Sequence, residues 1–483
     1  MQLSVIQRIL GLLLMVFSLT MLPPILVGWL MNDPEVSPFA EAGGILFVAG
    51  AALWLPVRRV RANLRTRDGF LIVTLFWVVL SLAGALPFVF SDSINSSFAN
   101  AVFETTSGLT TTGATVFIGL DGFPRSILFW RTELHWLGGM GIIVLAVAIL
   151  PMLGVGGMQI YKAESPGPVK DSKLEPRIAT TAKLLWYTYL SLTIACVLAF
   201  RLAGMSWFDA VGHSFSVMGT GGFSNYDSSL AFFNNPVIDY IAVLFMFLAG
   251  ANFGLHFMAW RATSLSVYLE DSEFRFYILV MLSAIGLTAA ILYFDGKYPD
   301  AFEALRYASV HVVSVMTCTG IFLGDHSTWP YFLPLMITML SIIGGCAGST
   351  GGGMKDIRVL LLIKQAIREI NLLVHPRAQI PIKVNGQVVE ESVVKGVWGF
   401  FFIYVFVFMV FMLGLMADGE DQVTAFSAVA ATINNMGLGL GKVSTNFAPL
   451  SDFSKWWLSL CMIMGRLELM TVLVLLTPAF WRK

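Results

Sequence analysis

Charged residues are scarce in this chain of 483 residues, which is 57% hydrophobic and only 12% charged. Soluble domains are about one quarter charged and about one half apolar, so this composition excludes an ordinary soluble protein. Neither sign of charge is in excess, because 30 basic residues balance 30 acidic ones, and this balance argues against a general nucleic-acid surface. The sequence therefore predicts a protein surrounded mainly by lipid bilayer, with no nucleic-acid partner.

Cysteine and histidine are also sparse. The four cysteines lie far apart and mostly within apolar stretches, so they offer neither a disulfide framework nor a CxxC metal site. The six histidines are scattered, and neither an HExxH nor a GxSxG motif occurs. We expect no catalytic residues, no enzymatic activity and no resident metal or other stably bound cofactor.

Long apolar runs dominate the sequence. A transmembrane helix needs about 20 apolar residues, and ten stretches approach that length: 8–30, 39–57, 69–90, 126–153, 183–203, 236–260, 275–294, 330–363, 394–416 and 455–478. The first is longer than the apolar region of a signal peptide and precedes no small-residue cleavage site, so we interpret it as a retained span. Four shorter apolar pieces are predicted to enter the membrane without crossing it: 98–112, 207–220, 302–319 and 424–436.

The connections between the spans differ in charge. Basic residues accumulate in 57–68, 158–183 and 364–395, and Arg261 and Arg275 bracket a further connection, whereas the alternate connections contain acidic residues such as Asp227 and Asp325. Lys and Arg near span ends favour the cytoplasmic side, so we expect these four connections and both termini to be cytoplasmic. Basic clusters that merely keep loops soluble would not explain so regular an alternation.

The outward connections contain a fourfold internal repeat, which appears when each is aligned on one glycine. The aligned segments are LTTTG at 109–113, MGTGG at 218–222, MTCTG at 316–320 and INNMG at 433–437. An alanine stands twelve residues before each glycine, and the glycines are 109, 98 and 117 residues apart. The predicted fold is an all-α integral membrane protein with four units of helix, short helix, glycine loop and helix in a pseudo-fourfold arrangement. We expect an N-terminal hairpin at 1–68 and repeats at 69–182, 183–274, 275–393 and 394–483.

A single glycine loop is weak information, because glycine in a membrane protein commonly lets helices pack closely. Four loops in register favour another role, since glycine tolerates a positive φ that turns successive carbonyl oxygens inward to replace the water around a cation. The filter segments contain neither Asp nor Glu, so a monovalent ion, and potassium over sodium, is predicted. The candidate filter residues are Thr111, Thr112, Gly113, Thr220, Gly221, Gly222, Cys318, Thr319, Gly320, Asn435, Met436 and Gly437.

The inner span of the third repeat contains six glycines in ten residues, between 344 and 353. A helix interior loses about 1 kcal/mol for each, so the span should unwind there, either as a static bend or as a mobile loop across the pore. It is not a phosphate loop, because Met354 occupies the lysine position. The candidate gate residues are Gly344, Gly345, Gly348, Ser349, Thr350, Gly351, Gly352, Gly353, Lys355 and Arg466.

Several ionisable residues fall within apolar segments. Arg466 and Glu468 lie in the last span, where charge is unfavourable and by default functional. They either form ion pairs with a neighbouring helix, or Arg466 hydrogen-bonds the 344–353 loop and holds it closed. For Glu104, His213 and His311, interior hydrogen bonds are favoured over ion contact, and for Arg131, Glu133 and His135 we expect structural pairing.

Five motifs together resemble the Trk/Ktr/HKT potassium-transport superfamily, and most closely its bacterial TrkH branch, over essentially the whole chain. They are LTTTGA at 109–114, GGMGIIV at 138–144, GGF at 221–223, GGCAGSTGGGMK at 344–355 and GRLE at 465–468. The resemblance implies a potassium-permeable pore of four M1–P–M2 repeats in the bacterial inner membrane, with the four aligned glycines in the filter and a mobile gate loop. It further implies a homodimer that docks onto a cytoplasmic ring of the TrkA type, with the regulatory nucleotide bound by that partner.

Two questions stay open at the level of sequence. A gated channel and a proton- or sodium-coupled symporter would use the same pore, and the residues do not separate them. The third loop reads TCTGI at 317–321, where relatives commonly have TTAGF, and the second loop has Gly219 and Thr220 where a more apolar pair is expected. These departures leave the degree of discrimination between potassium and sodium open. A sensory membrane receptor would not require four glycine loops in register.

Overall fold

The computed structural model describes residues 2–60, 66–144 and 178–482, and these are predominantly helical. Most of the predicted cytoplasmic connection 158–183 lies outside the described residues, as does the end of the predicted fourth span, from 145 to 153. Arg61 and Arg65 of the first basic connection lie outside them as well.

The N-terminal segment forms a helical hairpin. Its helices are Leu3–Leu19, Leu22–Leu30 and Ser37–Trp54, followed by a 3-10 turn at Leu55–Val57. Gly11 and Gly50 let the first and third helices touch, since a Cβ on Gly11 would lie 2.8 Å from the Gly50 carbonyl oxygen. Small residues at such a crossing allow two apolar helices to pack through their backbones.

Four successive sets of helices follow, each with a short helix near its middle. The first contains Thr66–Gly84, Leu86–Phe90, the short helix Phe98–Leu109, a 3-10 turn at Leu120–Gly122, and Arg125–Val144. The second contains Ile178–Leu202, the short helix Trp207–Gly219, a 3-10 segment at Ser229–Phe233, Pro236–Gly250 and Phe253–Ala262.

The third set contains Ser266–Glu270, Ser272–Phe294, the short helix Ala301–Met316, a 3-10 turn at His326–Thr328, Leu333–Ile343 and Asp356–Val374. A two-stranded antiparallel hairpin, Lys383–Val384 with Gln387–Val388, leads to the fourth set. That set contains Glu391–Ala417, the short helix Gln422–Ile433, a 3-10 turn at Gly441–Val443, Asp452–Arg466, Met470–Leu476 and Pro478–Trp481.

The short helices begin at side-chain caps and lie in the interior. Their cap residues are Ser97, Ser206, Asp300 and Asp421, and each side chain accepts a hydrogen bond from a backbone N–H of the first turn. Such caps satisfy donors that a helix start leaves free. The aligned alanines Ala101, Ala210, Ala308 and Ala425 are fully buried. All four predicted short apolar pieces therefore form helices around the centre of the molecule.

In the part of the chain that the structure describes, fewer helical stretches meet the length and hydropathy criteria for a span than the ten predicted. Within the described residues, six helical stretches are long and apolar enough to cross a membrane, and two pairs of helices, each bent at a short break, raise the number to eight. The other two predicted spans are the one that runs beyond residue 144 and the glycine-rich one, which breaks between Ile343 and Asp356. The count of ten is not confirmed, whereas a membrane protein with many apolar helices is.

Two bends and one helix length differ from the sequence prediction. The predicted span 236–260 bends by 96° after Gly250, and the span 455–478 bends by 114° after Arg466. At the first bend, Asn252 caps the next helix through the N–H of Gly254. The predicted loop 364–395 is helical as far as Val374, because the amphipathic helix packs Ile357 and Leu361 against the strand hairpin and the next helix.

Candidate functional site

The four short helices end in turns that share one backbone conformation. Two residues before each aligned glycine, a residue that is not glycine has a φ between 52° and 58°: Thr111, Thr220, Cys318 and Asn435. The glycines have φ between 79° and 85°: Gly113, Gly222, Gly320 and Gly437. Left-handed φ is uncommon for the first four, so its recurrence at one position indicates a repeated structural constraint.

The same backbone hydrogen bond closes each turn. In each, the N–H just before the aligned glycine donates to a carbonyl oxygen five residues earlier in the short helix. The four bonds are Thr112 to Ser107 at 2.8 Å, Gly221 to Ser216 at 2.8 Å, Thr319 to Ser314 at 2.7 Å and Met436 to Ala431 at 2.8 Å. We name these segments, 111–113, 220–222, 318–320 and 435–437, the first to fourth filter turns.

The four filter turns close a ring. A Cβ on Gly113 would overlap the carbonyl oxygen of Gly221, and a Cβ on Gly222 would overlap that of Thr319. In the same way Gly320 faces the carbonyl oxygen of Met436, and Gly437 faces that of Thr112. Each aligned glycine thus lies against the carbonyl oxygen of the residue that precedes the aligned glycine of the next turn. The fourth turn contacts the first in the same way, which closes the ring. A larger residue at any of the four positions would force two turns apart.

Buried polar side chains tie each short helix to the chain that leaves its turn. Glu104 accepts hydrogen bonds from the Val116 N–H at 2.9 Å and the Thr115 hydroxyl. A ring nitrogen of His213 lies 3.0 Å from Ser224 Oγ, and one of His311 lies 3.1 Å from the Gly324 carbonyl oxygen. Ser427 bonds Leu440 in the fourth repeat. Interior hydrogen bonding was predicted for the first three residues and is confirmed.

Side chains of the helix Arg125–Val144 form hydrogen bonds to residues beside the first and second filter turns. Arg131 pairs with Glu104 at 2.8 Å and donates to the Ser224 carbonyl oxygen at 2.9 Å. His135 accepts from the Phe223 N–H at 3.1 Å, and its Nδ1 lies 2.8 Å from the Gly108 carbonyl oxygen. These partners make His135 a neutral imidazole with Nδ1 protonated. The predicted structural pairing is confirmed for Arg131 and His135, whereas the buried Oε2 of Glu133 has no hydrogen-bond partner among the described residues. The sequence gave no sign that His135 joins the first repeat to the second.

The interrupted third-repeat span forms a loop directly against the bases of the filter turns. Helix ends at Ile343 and resumes at Asp356, so the predicted interruption is confirmed. Thr350 Oγ1 lies 3.1 Å from the Met218 carbonyl oxygen and 3.2 Å from that of Ala249. The Gly353 N–H donates to the Asn434 carbonyl oxygen at 3.1 Å. We name residues 344–353 the glycine loop.

The glycines of this loop are required by close backbone contacts. A Cβ on Gly351 would lie 2.8 Å from the Thr317 carbonyl oxygen, and one on Gly352 would overlap that of Asn434. On the other side, the Cys346 N–H donates to Gly250 at 2.8 Å and Gly348 accepts from the Phe253 N–H at 3.1 Å. The loop is therefore held between the filter turns and the bend of the second repeat.

Arg466 contacts the glycine loop. Its Nη1 donates to the Thr350 carbonyl oxygen at 3.1 Å, so the predicted contact exists. Its Nε and Nη2 are buried and have no hydrogen-bond partner among the described residues. Lys355 Nζ donates to the Gly351 carbonyl oxygen, and Glu468 forms an ion pair with Arg358 of the neighbouring helix. Arg466 therefore hydrogen-bonds the glycine loop, as one alternative predicted, whereas Glu468 forms an ion pair with a neighbouring helix, as the other predicted.

The structure brings the predicted site residues together in two adjacent layers. The twelve filter residues form the ring, and the glycine loop with Lys355 and Arg466 lies against it. Ser349 has a local role, since its hydroxyl donates to the Cys346 carbonyl oxygen at 2.6 Å. Sequence reasoning missed Asn434, whose side chain bonds Tyr404 and Ser341. A pair of asparagines at a buried helix end was the available signal.

Comparisons with known proteins agree with one another. The family model for TrkH, described as a cation transport protein, matches residues 36–483. The Trk system potassium uptake protein TrkH of Halomonas elongata is 51% identical over 483 residues, 100% of both chains, and that of Escherichia coli K12 is 49% identical over 478 residues, 99% of each. The crystal structure of the potassium transporter TrkH from Vibrio parahaemolyticus matches with a TM-score of 0.92 and 50% identity over 100% of both chains. The chain therefore belongs to the TrkH family of cation transport proteins.

Proposed function

We propose that the protein takes up potassium ions across the bacterial inner membrane through a gated pore, with the ring of four filter turns as its selectivity filter. The observation that carries this proposal is the ring closure, in which each aligned glycine abuts a carbonyl oxygen of the next turn. Only backbone fits at these contacts, and we infer that peptide oxygens border the ion path. The relatives that carry the name potassium uptake protein support the choice of ion.

The chemistry of the ring suits a weakly hydrated monovalent cation. Alternating left-handed residues turn successive carbonyl oxygens toward one side, and such oxygens can replace a hydration shell. The four short helices direct their C-terminal ends, which carry partial negative charge, toward the turns. The hydroxyls of Thr112 and Thr319 pair at 2.8 Å with those of Thr110 and Thr317. These hydroxyls brace the turns, which leaves the backbone oxygens as the ligands.

The glycine loop is the proposed gate. It lies against the carbonyl groups at the base of three filter turns, through Thr350, Gly351 and Gly353. Arg466 holds the loop there through Thr350 and adds positive potential on the ion path. An unwound segment at membrane depth is tolerated where it borders a water-filled cavity, and few side-chain contacts need to break when it moves.

The proposed topology rests on the charges of the connections, and the proposed partners rest on the family resemblance. We propose that both termini are cytoplasmic, that the repeats are 69–182, 183–274, 275–393 and 394–483 after a hairpin at 1–68, and that the protein is a homodimer. A cytoplasmic nucleotide-binding ring of the TrkA type would control the gate, with the nucleotide on that partner. The strand hairpin at 383–388 offers it a docking point, because Val384 packs beside Ile357 of the helix that follows the glycine loop. The relatives are named as components of a Trk system, which supports a multi-part assembly.

Growth rescue tests the proposal. In a bacterial strain without potassium uptake systems, the wild-type chain should restore growth at low potassium, and Gly113→Ser and Gly437→Ser should lose most of that rescue or its preference for potassium over sodium. Gly286→Ser is the matched control, because no heavy atom of the described residues lies within 4 Å of its Cβ position. Full rescue by the first two variants would contradict the filter assignment.

Voltage-clamp recordings then separate a channel from a symporter. For a channel, the reversal potential follows the potassium gradient alone, whereas a coupled symporter would shift it when a proton or sodium gradient is imposed. We expect no such shift.

A further inference from the structure

The fourth filter turn differs from the other three in its side chains. The two residues at the base of each turn are Thr110 and Thr111 in the first, Gly219 and Thr220 in the second, Thr317 and Cys318 in the third, and Asn434 and Asn435 in the fourth. Only the fourth turn has two carboxamides here. Asn434 and Asn435 are 0% and 1% exposed, so their polar groups need partners inside the protein.

Asn435 joins the fourth filter turn to the first. Its Nδ2 donates both hydrogens, one to Thr112 Oγ1 at 2.9 Å and one to the Met462 carbonyl oxygen at 3.0 Å. Thr112 Oγ1 in turn lies 2.8 Å from Thr110 Oγ1. The ring therefore closes between its last and first members through a side chain as well as through the Gly437 backbone contact.

The hydrogen bond from Asn435 to Met462 connects the ring to the helix that carries Arg466. Met462 lies one helical turn before Arg466 in the helix Asp452–Arg466, so the two residues lie on the same face. Arg466 bonds the glycine loop through Thr350. A movement of Arg466 that displaces the C-terminal end of this helix would therefore also displace the Met462 carbonyl oxygen, which accepts from Asn435.

Asn434 touches the gate directly. Its carbonyl oxygen accepts from the Gly353 N–H at 3.1 Å. Its side chain is fixed on both ends, because Oδ1 accepts from the Tyr404 hydroxyl at 2.8 Å and Nδ2 donates to Ser341 Oγ at 3.0 Å. When the glycine loop leaves, the peptide between Asn434 and Asn435 loses a restraint.

We propose that Asn434 and Asn435 couple the filter to the gate, with the Asn435 carboxamide as the positioning group that fixes the width of the ring between its fourth and first turns. This inference rests on the proposed function and adds that selectivity depends on the state of the glycine loop. A ring that is braced there resists closing around the smaller sodium ion. A ring that has lost the brace contracts and discriminates less.

The test uses the full-length protein in proteoliposomes and measures the sodium-to-potassium permeability ratio from reversal potentials under bi-ionic conditions. Asn435→Ala removes the hydrogen bonds to Thr112 and Met462, and we expect the ratio to rise by about fivefold or more. Asn446→Ala, in an outer loop, should leave it unchanged. Asn435→Cys introduces the residue that the third turn has at the same position; it is uncharged and lacks both N–H donors, so it should shift the ratio in the same direction and guards against misfolding of the alanine variant.

Coupling is tested with the gate. Arg466→Ala should raise the permeability ratio by itself, because it frees the helix end that carries the Met462 acceptor of Asn435. The double variant with Asn435→Ala should then show less than the product of the two increases. An unchanged ratio in both conducting Asn435 variants, or increases that multiply as independent effects, would overturn the inference. A wild-type protein that passes no potassium would instead overturn the proposed function, so the two failures are distinguishable.

Discussion

Glu104 and Arg131 form a charged pair in the interior of the first repeat. Their side chains are 0% and 1% exposed, and Arg131 also packs over the Phe223 ring with 4.3 Å between the guanidinium carbon and the ring centroid. Glu104 accepts from the Thr115 hydroxyl and the Val116 N–H besides Arg131. Charges removed from water are tolerated only when they are paired and hydrogen-bonded in this way.

Removal of one charge from this pair should therefore destabilise the protein strongly. Glu104→Gln leaves the Arg131 charge buried without its counterion, and we expect a loss of about 3 kcal/mol or more in the free energy of unfolding. Thermal or denaturant unfolding of purified protein in detergent measures this. The control is Lys395→Ala, which breaks an exposed pair with Glu391 and should change stability by about 0.5 kcal/mol or less. Equal effects of the two substitutions would refute the structural role of Glu104.

At the scale of residues, the sequence predicts what repeats and misses what does not. Gly113 and Gly437 could be found because the same spacing recurs four times and only glycine fits a positive φ at such a close contact. The partners of His135 and Asn435 could not be predicted, because Phe223 and Thr112 belong to other repeats. A contact between distant parts of a chain leaves no local pattern in one sequence.

The glycine loop is the element whose mobility matters most to the proposed function. It replaces about three turns of helix between Ile343 and Asp356. Its backbone bonds to Gly250, Phe253 and Asn434 are few compared with those of a helix of the same length. The side chain of Arg466 adds a charge-assisted bond to Thr350, and such bonds are stronger than neutral ones.

Removal of the Arg466 side chain should therefore release the loop. We expect Arg466→Ala to increase unregulated rubidium flux into proteoliposomes by about tenfold, the value of a charge-assisted bond of about 1.5 kcal/mol. Arg466→Lys retains the charge without the planar guanidinium and should give an intermediate flux.

The control for this experiment is Arg482→Ala, because Arg482 is an exposed cation near the C-terminus. Its flux should match that of the wild type. If Arg466→Ala also conducted like the wild type, Arg466 would be a structural residue, and another contact would have to hold the glycine loop in place.

At the scale of elements, the interruption at the glycine loop was predictable from the sequence, whereas the bends after Gly250 and Arg466 were not. The glycine loop was predicted because six glycines in ten residues are incompatible with a stable helix. The bend after Arg466 was missed, since Glu468 and Leu469 adopt φ of 55° and 53° although neither is a glycine. Tertiary contacts impose that conformation, among them the ion pair of Glu468 with Arg358. Local propensity carries no information about such a constraint.

At the scale of the whole molecule, the proposed filter forms only when four distant segments meet. The aligned glycines are 109, 98 and 117 residues apart, and each contributes one quarter of the ring. The ring contacts link every turn to the next, so the site cannot form in a partly folded chain. The general plan could be predicted from the fourfold spacing, whereas the packing that closes the ring depends on contacts the spacing does not contain.

Potassium should therefore stabilise the folded protein as a whole. A ligand that binds only the native state adds about 2.7 kcal/mol at a concentration one hundred times its dissociation constant, and the unfolded chain has no assembled ring to bind potassium. We expect the unfolding temperature of purified protein in detergent to rise with potassium concentration, to rise less with sodium, and to stay constant with choline at the same ionic strength. In Gly113→Ser, where the added Cβ would overlap the Gly221 carbonyl oxygen, the difference between potassium and sodium should shrink. Equal unfolding temperatures of the wild type in all three salts would show that no native cation site depends on the ring.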